Sequence, residues 1–167
     1  MTAPLQTDFV AAVPSKIAGA AGRLVVFAAG EGRLEALARR VDRLARGAVG
    51  RLVASDAFGK AKAGSGHVLA FPPGLAAEAV LVMKLPARPT VAEARLAGAA
   101  IAGFNASVPL TVLAGAQARV AEVALGLALR AYEFREYRTP EPDTPAPNRA
   151  VTVAIRYGTS ASGSAVR

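Results

Sequence analysis

The feature that most constrains the fold of this chain is a repeated change in the period of its apolar residues. Short apolar runs, each bounded by Gly, Pro or Ser, alternate with longer segments in which apolar residues recur at helical spacing. This alternation predicts an α/β domain with a mixed, largely parallel sheet. The predicted strands are 8–14, 23–29, 67–72, 78–85, 109–115 and 149–158.

Three segments predict long helices, at about 33–48, 90–105 and 116–134. Thr90 and Glu93 have the T-x-x-E spacing of a capping box, which marks the start of the second helix. The segment 51–55 is expected to add one or two further turns, and "DAFGKAKAGSG" (56–66) is expected to form a loop of small residues. The predicted apolar stripes are Ala94, Ala97, Ile101 and Phe104 on the second helix, and Val120, Val123, Leu127, Ala131 and Phe134 on the third.

Length and composition indicate one soluble domain. A chain of 167 residues, of which 53% are hydrophobic, has enough apolar material for a single core. The absence of Cys excludes disulfides and thiol nucleophiles, and it fits a cytoplasmic location. We expect no secretory signal, because Asp8, Pro14 and Lys16 interrupt the first apolar segment. No window reaches the ~18 uninterrupted apolar residues that a membrane helix requires.

The positive charge is concentrated in the segment 33–62. The whole chain has a formal net charge of +8, and Arg39, Arg43 and Arg46 recur at helical spacing within this segment. Together with Lys60 and Lys62 they are candidate contacts to nucleic-acid phosphates. No aromatic residue interleaves with the arginines, so stacking on single-stranded bases is not expected. The alternative is a solvated helix face, screened by Asp42, in a chain whose arginine content reflects codon usage.

The sequence contains no catalytic constellation. His67 is the only histidine, and a structural or solvent-facing role is favoured because no second imidazole exists to share a metal. The carboxylates do not cluster in a metal-binding pattern. "AGSG" (63–66) lacks the spacing of a phosphate-binding loop and precedes a strand. We therefore assign no catalytic, cofactor-binding or metal-binding residue.

Three segments resemble the N-terminal domain of the leucine aminopeptidase (cytosol aminopeptidase) family. "ALGLALRAYEFREYRT" (124–139) is similar to the signature near the end of that domain. "LVASDAFGKAKAGSGHVLAF" (52–71) and "GLAAEAVLVMKL" (74–85) resemble the preceding loop and strand, in the same order. The chain departs from the family where "MKLPARP" stands in place of a Gly-rich turn. The signature positions are Gly126, Leu129, Tyr132, Phe134, Tyr137 and Arg138.

The resemblance implies a three-layer α/β/α domain of the macro-like type. Residues 1–158 would form this domain, and 159–167 would be a mobile tail toward a catalytic domain that the sequence does not contain. Tyr132, Phe134 and Tyr137 would seat the end of the third helix on the sheet. The proline-rich stretch 139–148 would be a stiff connector to the last strand.

The function that the resemblance implies is that of an accessory part of a peptidase. The parent would be a cytoplasmic, usually hexameric, leucyl aminopeptidase that removes N-terminal residues from peptides. Its two divalent metals, Mn or Zn, would be held by Lys, Asp and Glu ligands in the catalytic domain. This chain alone would contribute assembly and access to the active site, with the catalytic domain and the homo-oligomer as partners.

Two alternatives of other classes stay open at this point. One is a DNA-binding module that uses the basic segment 33–62. The other is a ligand-binding module that takes ADP-ribose in a macro-like cleft. No Gly-rich diphosphate loop followed by a helix supports the second alternative.

Overall fold

Residues 6–30, 33–105, 108–131 and 150–155 are described by a computed structural model of the chain, and within them six strands form one sheet. The strand order is β1-β6-β5-β2-β4-β3, and β3 is antiparallel to β4 whereas the other neighbouring pairs are parallel. The predicted strands and the mixed, largely parallel sheet are thus confirmed. The strands are β1 (Gln6–Ala11), β2 (Arg23–Ala28), β3 (Gly66–Ala70), β4 (Ala79–Lys84), β5 (Leu110–Gly115) and β6 (Ala150–Ile155).

Helices cover both faces of the sheet. They are α1 (Ala36–Leu44), α2 (Ala48–Val53), α3 (Asp56–Lys60), α4 (Val91–Phe104) and α5 (Val120–Ala131), and a short 3-10 helix spans Pro14–Lys16. On β2, Leu24 and Val26 pack under α1, α2 and α3, whereas Val25 and Phe27 pack under α4 and α5. Because strand residues alternate between the two faces of the sheet, an apolar strand contributes side chains to both hydrophobic cores. The predicted three-layer α/β/α architecture is confirmed.

The structure corrects the prediction of a loop over 56–66. Its first half is the helix α3, which begins where the Ser55 hydroxyl accepts a hydrogen bond from the Phe58 N–H (3.3 Å). The helix ends where Lys84 Nζ donates to the carbonyl oxygens of Phe58 and Gly59 (3.0 and 2.7 Å). Phe58 is 1% exposed. Burial of this single aromatic side chain outweighs the weak helix propensity of Gly59.

The predicted capping box at the start of α4 is present. The Thr90 hydroxyl accepts a hydrogen bond from the Glu93 N–H (3.2 Å), and the Glu93 carboxylate accepts one from the Thr90 N–H (2.8 Å). Ala94, Ala97 and Ile101 are buried along the predicted stripe. The capping box therefore located the start of this helix, and the apolar stripe located its core-facing side.

The helix α5 begins at Val120, later than the predicted start at about 116 and at the first residue of its apolar stripe. Arg119, the residue before its first turn, has a positive φ of 59° and its Nε donates to the Pro89 carbonyl oxygen (2.9 Å). A residue in the left-handed region cannot continue a helix. The following predictions lie outside the described residues: the anchors Tyr132, Phe134 and Tyr137, the connector 139–148, and the tail 159–167.

Two glycines allow α4 and α5 to pack with their backbones close together. A Cβ added to Gly98 would lie 2.0 Å from the Val123 carbonyl oxygen, and one added to Gly126 would lie 2.2 Å from the Arg95 carbonyl oxygen. The Arg95 guanidinium also pairs with the Glu122 carboxylate (2.8 Å). Gly126 is one of the signature positions, and the close approach of the two helices gives it a structural reason.

Candidate functional site

The first candidate surface is the basic face of α1 and the turn that follows it. Arg39, Arg43 and Arg46 are all exposed, as the sequence predicts. The opposite side of α1 is buried against the sheet through Leu37 and Val41. Since residues four apart share a helix face, Arg39 and Arg43 are neighbours on the solvent side.

The turn after α1 adds a further arginine to this surface. Arg46 lies beyond the end of α1 with a positive φ of 54°, and Gly47 follows with a φ of 76°. Arg51, which is exposed on α2, donates from Nη1 to the Arg46 carbonyl oxygen (3.0 Å). The helical spacing did not single out Arg51, because the left-handed residues Arg46 and Gly47 separate α2 from α1. We call Arg39, Arg43, Arg46 and Arg51 the basic face.

Asp42, the screening charge of the sequence alternative, also has a structural contact. Its carboxylate accepts a hydrogen bond from the Gly50 N–H (2.7 Å) and thereby joins α1 to α2. A Cβ added to Gly50 would lie 3.3 Å from this carboxylate. The Asp42 side chain therefore has a structural partner in the backbone of α2.

The structure does not place the two predicted lysines beside Arg46. Lys60 and Lys62 are exposed at the end of α3. The last carbonyl groups of α3 accept hydrogen bonds from the side chain of Lys84, which is the last residue of β4. Arg46 lies two residues after Leu44. The Leu44 carbonyl oxygen packs against Gly74, and Gly74 precedes the first residue of β4. A six-residue strand such as β4 spans roughly 17 Å. The lysines and Arg46 thus lie at opposite edges of the helical layer.

The second candidate is the region at the carboxyl ends of β2 and β5, where sheets of this kind are expected to form a crevice. These strands are parallel neighbours, but the chain leaves β2 toward α1 on one face and leaves β5 toward α5 on the other. This arrangement is a topological switch point, where open α/β sheets bind their ligands. No sequence motif indicated the crevice, because its residues come from connections far apart in the chain.

A carboxylate lies at this switch point. Glu35 is the N-cap residue of α1, and its Oε2 accepts a hydrogen bond from the Leu37 N–H (3.1 Å). Its Oε1 accepts a hydrogen bond from the Ala116 N–H (3.3 Å), directly after β5. Gly115 has a φ of 57°, and a Cβ added there would lie 2.3 Å from the Glu35 carboxylate. A side chain at position 115 would therefore have to displace the Glu35 carboxylate.

The described residues offer no metal centre. In residues 6–30, 33–105, 108–131 and 150–155, no group of three or more His, Asp or Glu side chains could hold a metal ion. His67 is half-buried, and its ring packs against Phe58 with centroids 5.4 Å apart. Within the same part of the chain, no helix is long and apolar enough to cross a membrane.

Comparison with known sequences finds two similar proteins, both called probable cytosol aminopeptidases. The protein of Cereibacter sphaeroides is 46% identical over 147 residues, and that of Dinoroseobacter shibae is 36% identical over 147 residues. Both alignments cover 88% of this chain. The chain spans 30% of the length of each relative. No family model matches the chain.

Comparison with solved structures shows the fold. A tomato leucine aminopeptidase mutant (K354E) matches with a TM-score of 0.64 and 15% identity, over 96% of this chain and 34% of that protein. A macrodomain of Trypanosoma brucei in complex with ADP-ribose matches with a TM-score of 0.59 and 12% identity, over 90% of this chain and 63% of that protein. The layered α/β architecture is therefore shared with both.

Proposed function

The chain belongs to the cytosol aminopeptidase family as a homologue of its N-terminal region, and on that basis we propose that it is a non-catalytic accessory domain of a leucyl aminopeptidase. The observation that carries this proposal is the 46% identity over 88% of the chain to the Cereibacter sphaeroides protein. The parent enzyme would remove N-terminal residues from peptides in the cytoplasm. This domain would shape its homo-oligomer and restrict access to its active site.

The metals of the parent enzyme would belong to a region other than the one described here. The described residues contain no suitable group of three donors, so we derive no catalytic step from them. Two divalent ions, Mn or Zn, would supply the hydrolytic chemistry when bound to the catalytic region. What this chain supplies is a layered α/β body, in which Gly98 and Gly126 allow α4 to pack closely against α5.

An exchange of domains tests this proposal. The matching region of the Cereibacter sphaeroides aminopeptidase is replaced by this chain, and leucyl-p-nitroanilide hydrolysis is measured with added Mn²⁺. We expect the chimera to retain metal-dependent hydrolysis and the native oligomeric state, because the two regions are 46% identical. A version that lacks the region should assemble differently by light scattering.

The isolated chain is the second arm of that experiment. We expect no hydrolysis when Mn²⁺ or Zn²⁺ is added to it. Metal-dependent turnover by the pure chain would contradict a non-catalytic role. A folded chimera that neither assembles nor hydrolyses the substrate would contradict the accessory role.

We propose a second function, duplex-DNA binding, for the basic face. The observation that favours it is that the exposed arginines of the basic face continue from α1 into α2. Guanidinium groups on one face can follow the phosphates of a duplex. The exposed Lys60 and Lys62 would contact a duplex only if it extended across the whole helical layer.

Charge reversal tests the basic face. Fluorescence anisotropy with a DNA duplex is measured over a salt titration for a variant in which Arg39, Arg43 and Arg46 are replaced by Glu. We expect the affinity to fall at least roughly tenfold near 0.15 M salt, and the slope of log affinity against log salt to decrease by about 3.

A matched control separates the basic face from net charge alone. Replacement of Lys16, Arg88 and Arg130 by Glu changes the net charge equally, and these three residues are exposed on other parts of the molecule. If DNA binding depends on the basic face, the control retains the affinity of the wild type. An equal loss in both variants, or no binding by the wild type, would remove the proposal.

The ADP-ribose alternative gains no support from the fold comparison. The Trypanosoma brucei macrodomain is 12% identical, and a similarity of this size is one of fold alone. In this chain a nucleotide diphosphate that entered the crevice at the switch point would meet the Glu35 carboxylate. We therefore do not propose it as a function of the wild-type chain.

A further inference from the structure

The edge strand β3 presents a row of backbone groups that have no partner strand. It is the last strand of the sheet, and among the described residues no strand pairs with its outer side. The Lys84 N–H donates to the Ser65 carbonyl oxygen (2.8 Å), and the Phe71 N–H donates to the Glu78 carbonyl oxygen (2.7 Å). Because the backbone groups of an antiparallel strand alternate between its two sides, every second residue points away from β4. These residues are Gly66, Val68 and Ala70.

The sequence of β3 lacks the features that usually protect an edge strand from pairing. Charged side chains, prolines and bulges are the common forms of protection. The strand reads GHVLA and contains no Lys, Arg, Asp, Glu or Pro. By contrast β1, at the other edge of the sheet, carries the exposed Asp8. Of the two edges, β3 is therefore the one that is open to a further strand.

Exposed apolar side chains lie beside this free edge. Val68 is 55% exposed, and its pairing with Leu81 places it on the side of the sheet that α4 covers. On α4, Leu96 is 60% exposed and lies next to Gly64, where an added Cβ would be 3.1 Å from the Leu96 Cβ. Phe71 directly follows β3 and is 80% exposed. A single exposed apolar side chain is ordinary, but three beside a free strand edge form a patch that a second strand can cover.

We propose that β3 pairs antiparallel with β3 of a second copy of this chain, about a two-fold axis at Val68. This register places Val68 opposite itself and Gly66 opposite Ala70. Each of these residues then donates one hydrogen bond and accepts one across the joint. A two-fold interface requires a surface that is complementary to itself, and this edge meets the requirement with all its outward backbone groups.

The same register also matches the apolar side chains of the two copies. Phe71 of one copy comes opposite Ser65 of the other, one residue from Gly64. Since Gly64 has no side chain, Leu96 is accessible at this point. Each end of the joint thus brings Phe71 of one copy toward Leu96 of the other, while the two Val68 side chains meet at its centre.

The charges near β3 do not oppose this pairing. Lys60 and Lys62 precede the strand, so an antiparallel pair places the lysines of the two copies at opposite ends of the joint. The end that they meet in the other copy carries the ion pair of Arg23 and Glu78, which is neutral as a whole. Like charges are therefore kept apart.

The size of the joint predicts a weak and reversible dimer. One five-residue strand and three exposed apolar side chains from each copy correspond to an interface below about 1,200 Å², the range of transient complexes. This inference does not rest on the proposed peptidase role. The domain exchange and the dimer can fail separately.

Sedimentation velocity of the full chain between ~10 µM and ~1 mM protein, in ~0.15 M salt, tests the proposal. We expect a monomer at the low concentration and mainly a dimer at the high one. Val68→Lys places two like charges opposite each other at the axis, and it should weaken dimerisation at least roughly tenfold. The matched control is Val10→Lys, which introduces the same charge at a 41% exposed position of the other edge strand. It should dimerise like the wild type.

Hydrogen exchange of the wild type keeps the test decisive if Val68→Lys does not fold. The amides of Gly66, Val68 and Ala70 should exchange at least roughly threefold more slowly at ~1 mM than at ~10 µM. Those of His67 and Leu69 point toward β4 and should change less. A wild type that is monomeric at ~1 mM would overturn the proposal. So would a dimer that folded Val68→Lys retains, equal losses in both lysine variants, or a dimer in which the three outward amides are not protected.

Discussion

Replacement of Gly98 by Ala is expected to lower the free energy of unfolding by about 1–3 kcal/mol. The added methyl group would lie 2.0 Å from the Val123 carbonyl oxygen and 2.6 Å from the Leu127 nitrogen, so α4 and α5 must separate. This loss should exceed the ~1 kcal/mol that Ala gains over Gly in helix propensity. Gly126→Ala acts on the same contact, and the double variant should therefore lose less than the sum.

Gly103 provides the control within the same helix. A Cβ added to Gly103 would meet nothing within 4 Å, and the residue is exposed. Gly103→Ala should therefore raise the free energy of unfolding by up to ~1 kcal/mol. Urea denaturation gives both values. If Gly98→Ala is as stable as Gly103→Ala, the close packing of α4 and α5 is not present in solution.

Replacement of Phe58 by Ala is expected to have the largest effect on stability, a loss of about 3–5 kcal/mol. The Phe58 side chain is 1% exposed and packs against the His67 ring. The centroid of the Phe58 ring lies 5.7 Å from Lys84 Nζ. Its removal leaves a cavity under α3 and withdraws the only buried side chain of that helix. Because domains are stable by ~5–15 kcal/mol in total, this loss is a large fraction of the whole.

Phe71→Ala is the matched control, since it removes the same side chain from the surface. Phe71 is 80% exposed, and its replacement should change the free energy of unfolding by less than ~0.5 kcal/mol. Thermal and urea denaturation of both variants check the difference. Equal losses would show that α3 is not anchored to the sheet by Phe58.

Much of the fold could be predicted from local patterns. The apolar run of β4 predicts a strand buried on both faces, and the structure places it inside the sheet between β2 and β3. Thr90 and Glu93 predict the start of α4 because both partners of a capping box lie within four residues. Such features depend on neighbours in sequence, and a local reading is then sufficient.

The candidate sites were predictable only in part. Arg39 and Arg43 follow from helical spacing, and both are exposed on one face of α1. Arg51 was not singled out, because the turn at Arg46 and Gly47 brings α2 beside the end of α1. Because of this turn and of α3, Lys60 lies at the edge of the helical layer opposite to Arg46. Helical spacing within one helix does not determine the direction that the chain takes after that helix ends.

The sequence by itself determined the strands, the long helices and their buried faces, because propensity, capping and hydrophobic period act over a few residues. Tertiary structure alone decided the contacts between distant segments. Glu35 meets Ala116 at the switch point, and Gly98 meets α5, only after the sheet has assembled. Phe58 likewise stabilises a helix where the sequence predicts a loop. The favourable free energy of burying its ring is available only after β3 and β4 have formed.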